Sequence, residues 1–111
     1  QIDYDREIAL VALNDEPGAE QMMGVARIIG DPDVKTGDFA VLVGDPWHEH
    51  GIGSSLLERC LAIAEKRGFQ VVSGIVLNDN RSMLALGKKL GFQIKQQPSL
   101  GEFELVIRFT R

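Results

Sequence analysis

The chain is poor in the residues that staple, span or ligate. It has one cysteine, Cys60, one tyrosine, Tyr4, and one tryptophan, Trp47, among 111 residues. A single cysteine excludes an intrachain disulfide and fits a reducing, cytoplasmic setting. No apolar run approaches the roughly 20 residues that cross a bilayer. No signal peptide is legible, so no membrane partner is expected. No basic run exceeds two residues, as at Lys88-Lys89, and the formal net charge is −4. That balance argues against nucleic acid as a partner, because duplex binding needs a clustered basic face. Only two histidines occur, His48 and His50, and they flank Glu49. A zincin helix needs His-Glu-x-x-His, and Ile52 stands where the second histidine belongs. No metal site is expected. The chain also starts without methionine, directly in strand-like sequence, as an excised domain would.

What remains is ordinary globular material, 44% hydrophobic and 25% charged, in a length that suits one domain over residues 1–111. Residues 7 to 13, Glu-Ile-Ala-Leu-Val-Ala-Leu, are apolar and partly β-branched, and predict a strand. Asn14 to Gly18 is a turn cluster. Met22 to Ile29 predicts a second strand, paired with the first as a hairpin. Gly30 to Gly37 reads as a loop, and Phe39 to Val43 as a third, more buried strand. The period then changes. Leu56, Leu57, Cys60, Leu61, Ile63 and Ala64 recur at spacings of three and four, which predicts an amphipathic helix of about 14 residues stopped by Gly68. Val71 to Leu77 is strand-like. Asn80 is a candidate N-cap for a second helix, Ser82 to Leu90, ended by Gly91. Phe92 to Gln96 and Phe103 to Phe109 read as closing strands, the last alternating between buried and exposed positions. The order is β-β-β-α-β-α-β-β. The β-α-β step implies a right-handed crossover and a parallel pair, and the opening hairpin an antiparallel one. The fold class is α/β with a mixed, α+β-like sheet. An exposed edge at the final strand offers pairing to a second chain, so an oligomer is open.

Gly51 and Gly53 lie where a strand gives way to a helix. Glycine lets the backbone turn tightly and lets a ligand approach its amides. The first-turn N–H groups lack internal partners and sit at the positive end of the helix dipole. Such a junction is an anion site, and Ser54 and Ser55 add hydroxyl donors. A P-loop needs Gly-Lys-Ser/Thr, which is absent. The dinucleotide fingerprint needs a third glycine where Leu56 stands. Cys60 shares the apolar face of its helix, as a core cysteine does.

The run Asp38-Phe39-Ala40-Val41-Leu42-Val43, then His48-x-x-Gly51-x-Gly53, Asn80 with Met83, and Leu90-Gly91-Phe92, resembles the GNAT acyltransferase superfamily over roughly residues 4 to 109. The family pattern at the turn is Gln/Arg-x-x-Gly-x-Gly/Ala, and His48 takes the first place. Asp3 to Glu7 leading into Ile8 to Ala12, and Ser82-Met83-Leu84, look like bacterial protein lysine acetyltransferases. In those a GNAT domain is often fused to an acyl-CoA-synthetase-like, ADP-forming region, so covalent continuity with an upstream domain is expected. The usual first strand and first two helices of the GNAT fold are missing.

The resemblance implies acetyl-CoA as acetyl donor and an amine acceptor, a protein lysine or a small molecule. A non-catalytic acetyl-CoA-sensing domain is the further alternative. Pantetheine would lie where the strands at Phe39 and Val71 splay apart, paired with the backbone of Leu42 and Val43. The amides of His48, Glu49, His50, Gly51, Ile52, Gly53, Ser54 and Ser55 would hold the pyrophosphate. Asn78 or Asn80 would bond the pantetheine arm, and for Asn80 a capping role coexists with this. Glutamate is common in the family where this chain has Asp38, the general-base candidate, which otherwise reads as a turn residue before a strand. Glu7 is the second candidate. The tyrosine that protonates the leaving thiolate in many members is replaced by Gly87. Backbone N–H groups from Val41 to Val43 would meet the developing oxyanion.

Overall fold

In a computed structural model the described residues are 7–14, 16–18, 21–31, 33, 35–44 and 51–109. They form strands β1 (Glu7–Asn14), β2 (Gln21–Asp31) and β3 (Thr36–Val43), helix α1 (Ile52–Lys66), β4 (Val71–Leu77), helix α2 (Arg81–Leu90), β5 (Gln93–Gln97) and β6 (Glu102–Arg108). A 3-10 turn at Pro98–Leu100 joins the last two strands. The order is the expected one. One mixed sheet carries all six strands as β1-β2-β3-β4-β6-β5. β3 and β4 pair in parallel, and every other neighbouring pair is antiparallel. β6 is therefore interior, and β1 and β5 are the edges, which corrects the expected edge at the final strand. The reason is that β6 pairs with β4 along its length, from Val71↔Arg108 to Leu77↔Glu102, and the shorter β5 pairs on its outer side.

β2 and β3 both run further than the sequence pattern suggests. Their ladder extends to Gly30↔Gly37 and Asp31↔Thr36. The two glycines read as loop residues, but each avoids a crowded neighbour. A Cβ on Gly30 would lie 2.3 Å from Phe69 Cζ, and one on Gly37 2.8 Å from Ile28 Cγ2. Phe69 thereby seats, almost wholly buried, on the strand pair just after α1 ends. β3 itself is less buried than expected. It alternates, with Phe39 inside and Leu42 68% exposed. The alternation expected of β6 fails in the other sense, since Leu105 and Val106 are both buried.

Both helices cover the same face. Ile8, Ala26, Ile28, Phe39, Val72 and Leu105 point toward them and form the core with Leu57, Cys60, Leu61 and Ala64 of α1. α2 is pinned at its end by Phe92, whose ring centroid lies 5.1 Å from that of Phe39. The result is two layers, a sheet with helices on one side. The helix limits follow the sequence signals. Asn80 Oδ1 accepts the Met83 N–H at 3.2 Å, and Gly91 closes α2 with φ 92°.

Candidate active site

β3 and β4 pair over three rungs only, Thr36↔Val71, Gly37↔Val72 and Asp38↔Ser73. β3 then continues to Val43 and β4 to Leu77 with no pairing between them, so the sheet opens into a wedge. The direction of the β3 backbone follows from two hydrogen bonds. The Gly44 N–H donates to the Met23 carbonyl, and the Val71 N–H to the Lys35 carbonyl. Even-numbered residues of β3 thus turn their backbone groups to β2, and odd-numbered ones turn theirs to β4 or the wedge. This corrects the expected role of Leu42. The strand edge that a ligand would extend is presented at Val41, and Leu42, whose backbone is turned to β2, still lines the groove.

The wedge continues into a groove of about 530 Å³. Val41, Leu42 and Val43 form one wall, and Gly51, Ile52, Gly53 and Ser54 close its end. Gly51 holds φ 77°, a conformation that suits glycine, and no described side chain caps α1 there. The first-turn amides and the positive end of the dipole therefore face the groove. Gly53 is needed for closeness. A Cβ there would lie 3.3 Å from both Val41 Cγ1 and Val43 Cγ2 and 3.4 Å from Leu86 Cδ1. Ser55 does not reach the groove, because it is exposed and its N–H donates to the Gly51 carbonyl within the helix. His48, Glu49 and His50 lie outside the described residues, as do Asp3 and Tyr4.

The opposite wall is α2, through Asn80, Ser82, Met83, Ala85, Leu86 and Lys89. Asn80 uses its Oδ1 for the cap, which leaves its amide N–H groups as donors. Asn78 is not brought in. It sits in an exposed turn, its N–H bonded to the Gly101 carbonyl. The sequence reading missed Lys89. Its signal was helical spacing, because Ser82, Leu86 and Lys89 fall on one face at steps of four and three. The groove is thus lined mainly by apolar side chains, with the Asn80 amide, the Gly51–Ser54 end of α1 and the Lys89 ammonium as its polar groups. That donor set fits coenzyme A, a thiol arm ending in phosphates.

Asp38 and Glu7 are both on the sheet face away from the helices, but only Asp38 is at the wedge. A continuous row, Glu7–Ile29–Asp38–Ser73–Val106–Gln93, crosses all six strands there. Asp38 is inside β3 rather than in a turn before it. Its Oδ1 accepts from Ser73 Oγ at 3.4 Å. Glu7 is two strands away, roughly 10 Å at normal strand spacing, and is ion-paired with Arg27. Cys60 is fully buried, its thiol pKa pushed up by burial, so it remains a core residue. Gly87 is buried too, and a Cβ there would meet Leu105 Cδ2 at 2.4 Å. Leu105 occupies the room that a side chain at this position would need. No group of three or more His, Cys, Asp or Glu suited to a metal occurs among the described residues. No described helix is long and apolar enough to cross a membrane.

The profile of the acetyltransferase (GNAT) family matches residues 1–92. Acetyltransferase PA5475 of Pseudomonas aeruginosa is 28% identical over 97 residues, 87% of this chain and 52% of its own length. The chain thus spans about half of that curated relative. Among solved structures, the GNAT domain of S. lividans PAT superposes with a TM-score of 0.83 at 21% identity, over 98% of this chain and 64% of that one. A cAMP-binding acyltransferase from Mycobacterium smegmatis gives 0.79 at 23% identity, over 98% of this chain and 33% of its own. These two likenesses establish the fold, a mixed sheet opened between its parallel strands.

Proposed function

Because the chain belongs to the acetyltransferase (GNAT) family, we propose that it moves an acetyl group from acetyl-CoA to an amine, a protein lysine side chain. The observation that carries the donor is the wedge between β3 and β4 with the α1 N-terminus at its mouth. Acetyl-CoA supplies the activated thioester. The first-turn amides of α1 and Lys89 bind phosphate, Asn80 donates to the arm, and Val41 offers its backbone N–H to the carbonyl oxygen. Support for a lysine acceptor comes from the open sheet face around Asp38, which a protein surface can approach, and from the likeness of Ser82-Met83-Leu84 to protein lysine acetyltransferases.

A lysine amine has an unperturbed pKa near 10.4, so on the order of one in a thousand is neutral at pH 7. Asp38 takes the proton, directly or through one water, and the neutral amine attacks. With glycine at position 87, no side chain there donates a proton to the departing sulfur. A thiol of pKa about 8.5 leaves without strong acid assistance.

The test is incubation with acetyl-CoA and a panel of acceptors. Acetylated lysine seen by mass spectrometry is the expected result. Acetylation of polyamines or amino acids alone would overturn the protein acceptor, and binding without turnover would overturn the activity. Asp38→Asn is expected to lower kcat by about 100-fold, the lower range for a general base, with coenzyme A affinity within twofold by calorimetry.

A further inference from the structure

The structure assigns a positioning role to Ser73: its hydroxyl orients the Asp38 carboxylate at the rung where the sheet opens. The inference rests on the reading of Asp38 as the base. Ser73 faces Asp38 in the last rung of β3 and β4, so the two side chains emerge side by side on the open face. Among the described residues Ser73 is the only hydrogen-bond partner of the Asp38 side chain, Oγ to Oδ1 at 3.4 Å. That is long for O–H···O, but catalytic hydrogen bonds tighten once substrate is bound.

The rest of the row explains why a hydroxyl is suited to this place. The flanking positions are Ile29 on β2 and, beyond Ser73, Val106 on β6, which offer no donor. The nearby cation, Arg27, is paired with Glu7. Asp38 is therefore held by a neutral group. A neutral donor fixes the carboxylate without cancelling the charge that attracts an ammonium acceptor. It also occupies one oxygen, Oδ1, and leaves Oδ2 for the incoming proton. The hydroxyl keeps its own proton: the ammonium gives one proton to Asp38 before attack, and the second, lost from the nitrogen as the amide forms, goes to the departing thiolate or to water. Ser73 is set one strand across from the base, on the strand that bounds the other side of the wedge. Its bond therefore ties the two strands together where the acceptor must reach the thioester.

Steady-state kinetics on the wild type, Ser73→Ala, Ser73→Thr, Asp38→Asn and the Asp38→Asn/Ser73→Ala double variant test this. Ser73→Ala is expected to lower kcat about tenfold, the scale of a lost orientation, with KM for acetyl-CoA within twofold. Ser73→Thr, which keeps the hydroxyl, is expected to restore most of it. The double variant is expected to be no slower than Asp38→Asn alone, because Ser73 acts only through that carboxylate. A wild-type kcat in Ser73→Ala, or losses that multiply in the double variant, would overturn the role of Ser73 while leaving Asp38 as base. Full activity in Asp38→Asn would remove the base itself, and the inference with it.

Discussion

The two faces of the sheet are made from the same kinds of residue and have opposite fates. Toward the helices, Ile28, Val72 and Leu105 are completely buried. On the other side Leu42, Leu77 and Ile75 are 68%, 61% and 55% exposed, and Val106 is the buried exception. β4, Val-Val-Ser-Gly-Ile-Val-Leu, shows the difficulty within seven residues, since it is apolar on both sides. Strand hydrophobicity alone does not tell which face is packed. The helices tell it, because each has one apolar stripe and both stripes meet the same side. The candidate site uses both faces. Its groove lies among the helices, and its carboxylate stands on the open side.

The contrast is sharpest in stability. Leu57 of α1 is fully buried against the covered face. Leu57→Ala should cost about 2–5 kcal/mol, through lost transfer energy and an unfilled cavity. Chemical denaturation with an unchanged m-value checks it. A loss under 1 kcal/mol would mean that the helix layer packs loosely and the two faces differ less than their exposure implies.

Gly87 tests the fit within the covered face. Alanine favours a helix over glycine by about 1 kcal/mol. Overpacking costs about 1–3 kcal/mol, and the 2.4 Å approach to Leu105 lies well inside contact distance. Gly87→Ala should therefore destabilise by about 1 kcal/mol net, where an exposed helical glycine would gain. Combined with Leu105→Ala, its cost should vanish, because the added methyl then enters the space that Leu105 filled. Additive losses would mean that some other contact excludes the methyl.

How much of this was legible follows from which residues speak locally. The helices and their ends were, because Asn80, Gly68 and Gly91 act within a few residues of themselves. The wedge was expected only through resemblance. Its rung-by-rung geometry depends on where Asp38 meets Ser73, a contact between residues 35 positions apart. Gly30 and Gly37 misled as turn signals because their reasons, the ring of Phe69 after α1 and the side chain of Ile28 on the neighbouring strand, lie elsewhere in the chain. Leu42 was misassigned because backbone direction depends on parity against β2, which the sequence does not show. Lys89 was overlooked as one of a basic pair. Only the orientation of α2 separates it from Lys88, which does not line the groove.

Asn80 joins cap and groove, and the two roles separate by substitution. Asn80→Ala should cost about 1 kcal/mol of stability through the lost cap. Asn80→Asp keeps an oxygen for the Met83 N–H and should leave stability within about 0.5 kcal/mol. It replaces the amide donor with a charge beside a ligand that is itself anionic, so coenzyme A affinity should fall by calorimetry. Unchanged affinity in Asn80→Asp would reduce Asn80 to a cap.

The smallest effect belongs to the open face. Leu77 closes β4, pairs with Glu102 and leaves most of its side chain in water. Leu77→Thr removes apolar surface that folding of this chain hardly buries, so little transfer energy is lost. Threonine also suits a pleated strand at least as well as leucine, which offsets part of the remainder. The change in stability should stay within about 0.5 kcal/mol, the usual range for surface positions. The same denaturation series that reports Leu57→Ala measures it. A loss on the scale of Leu57→Ala would mean that the open face is packed in solution and that the asymmetry between the faces is false. A loss near zero would show that its leucines and isoleucines are not held there by the stability of this unit.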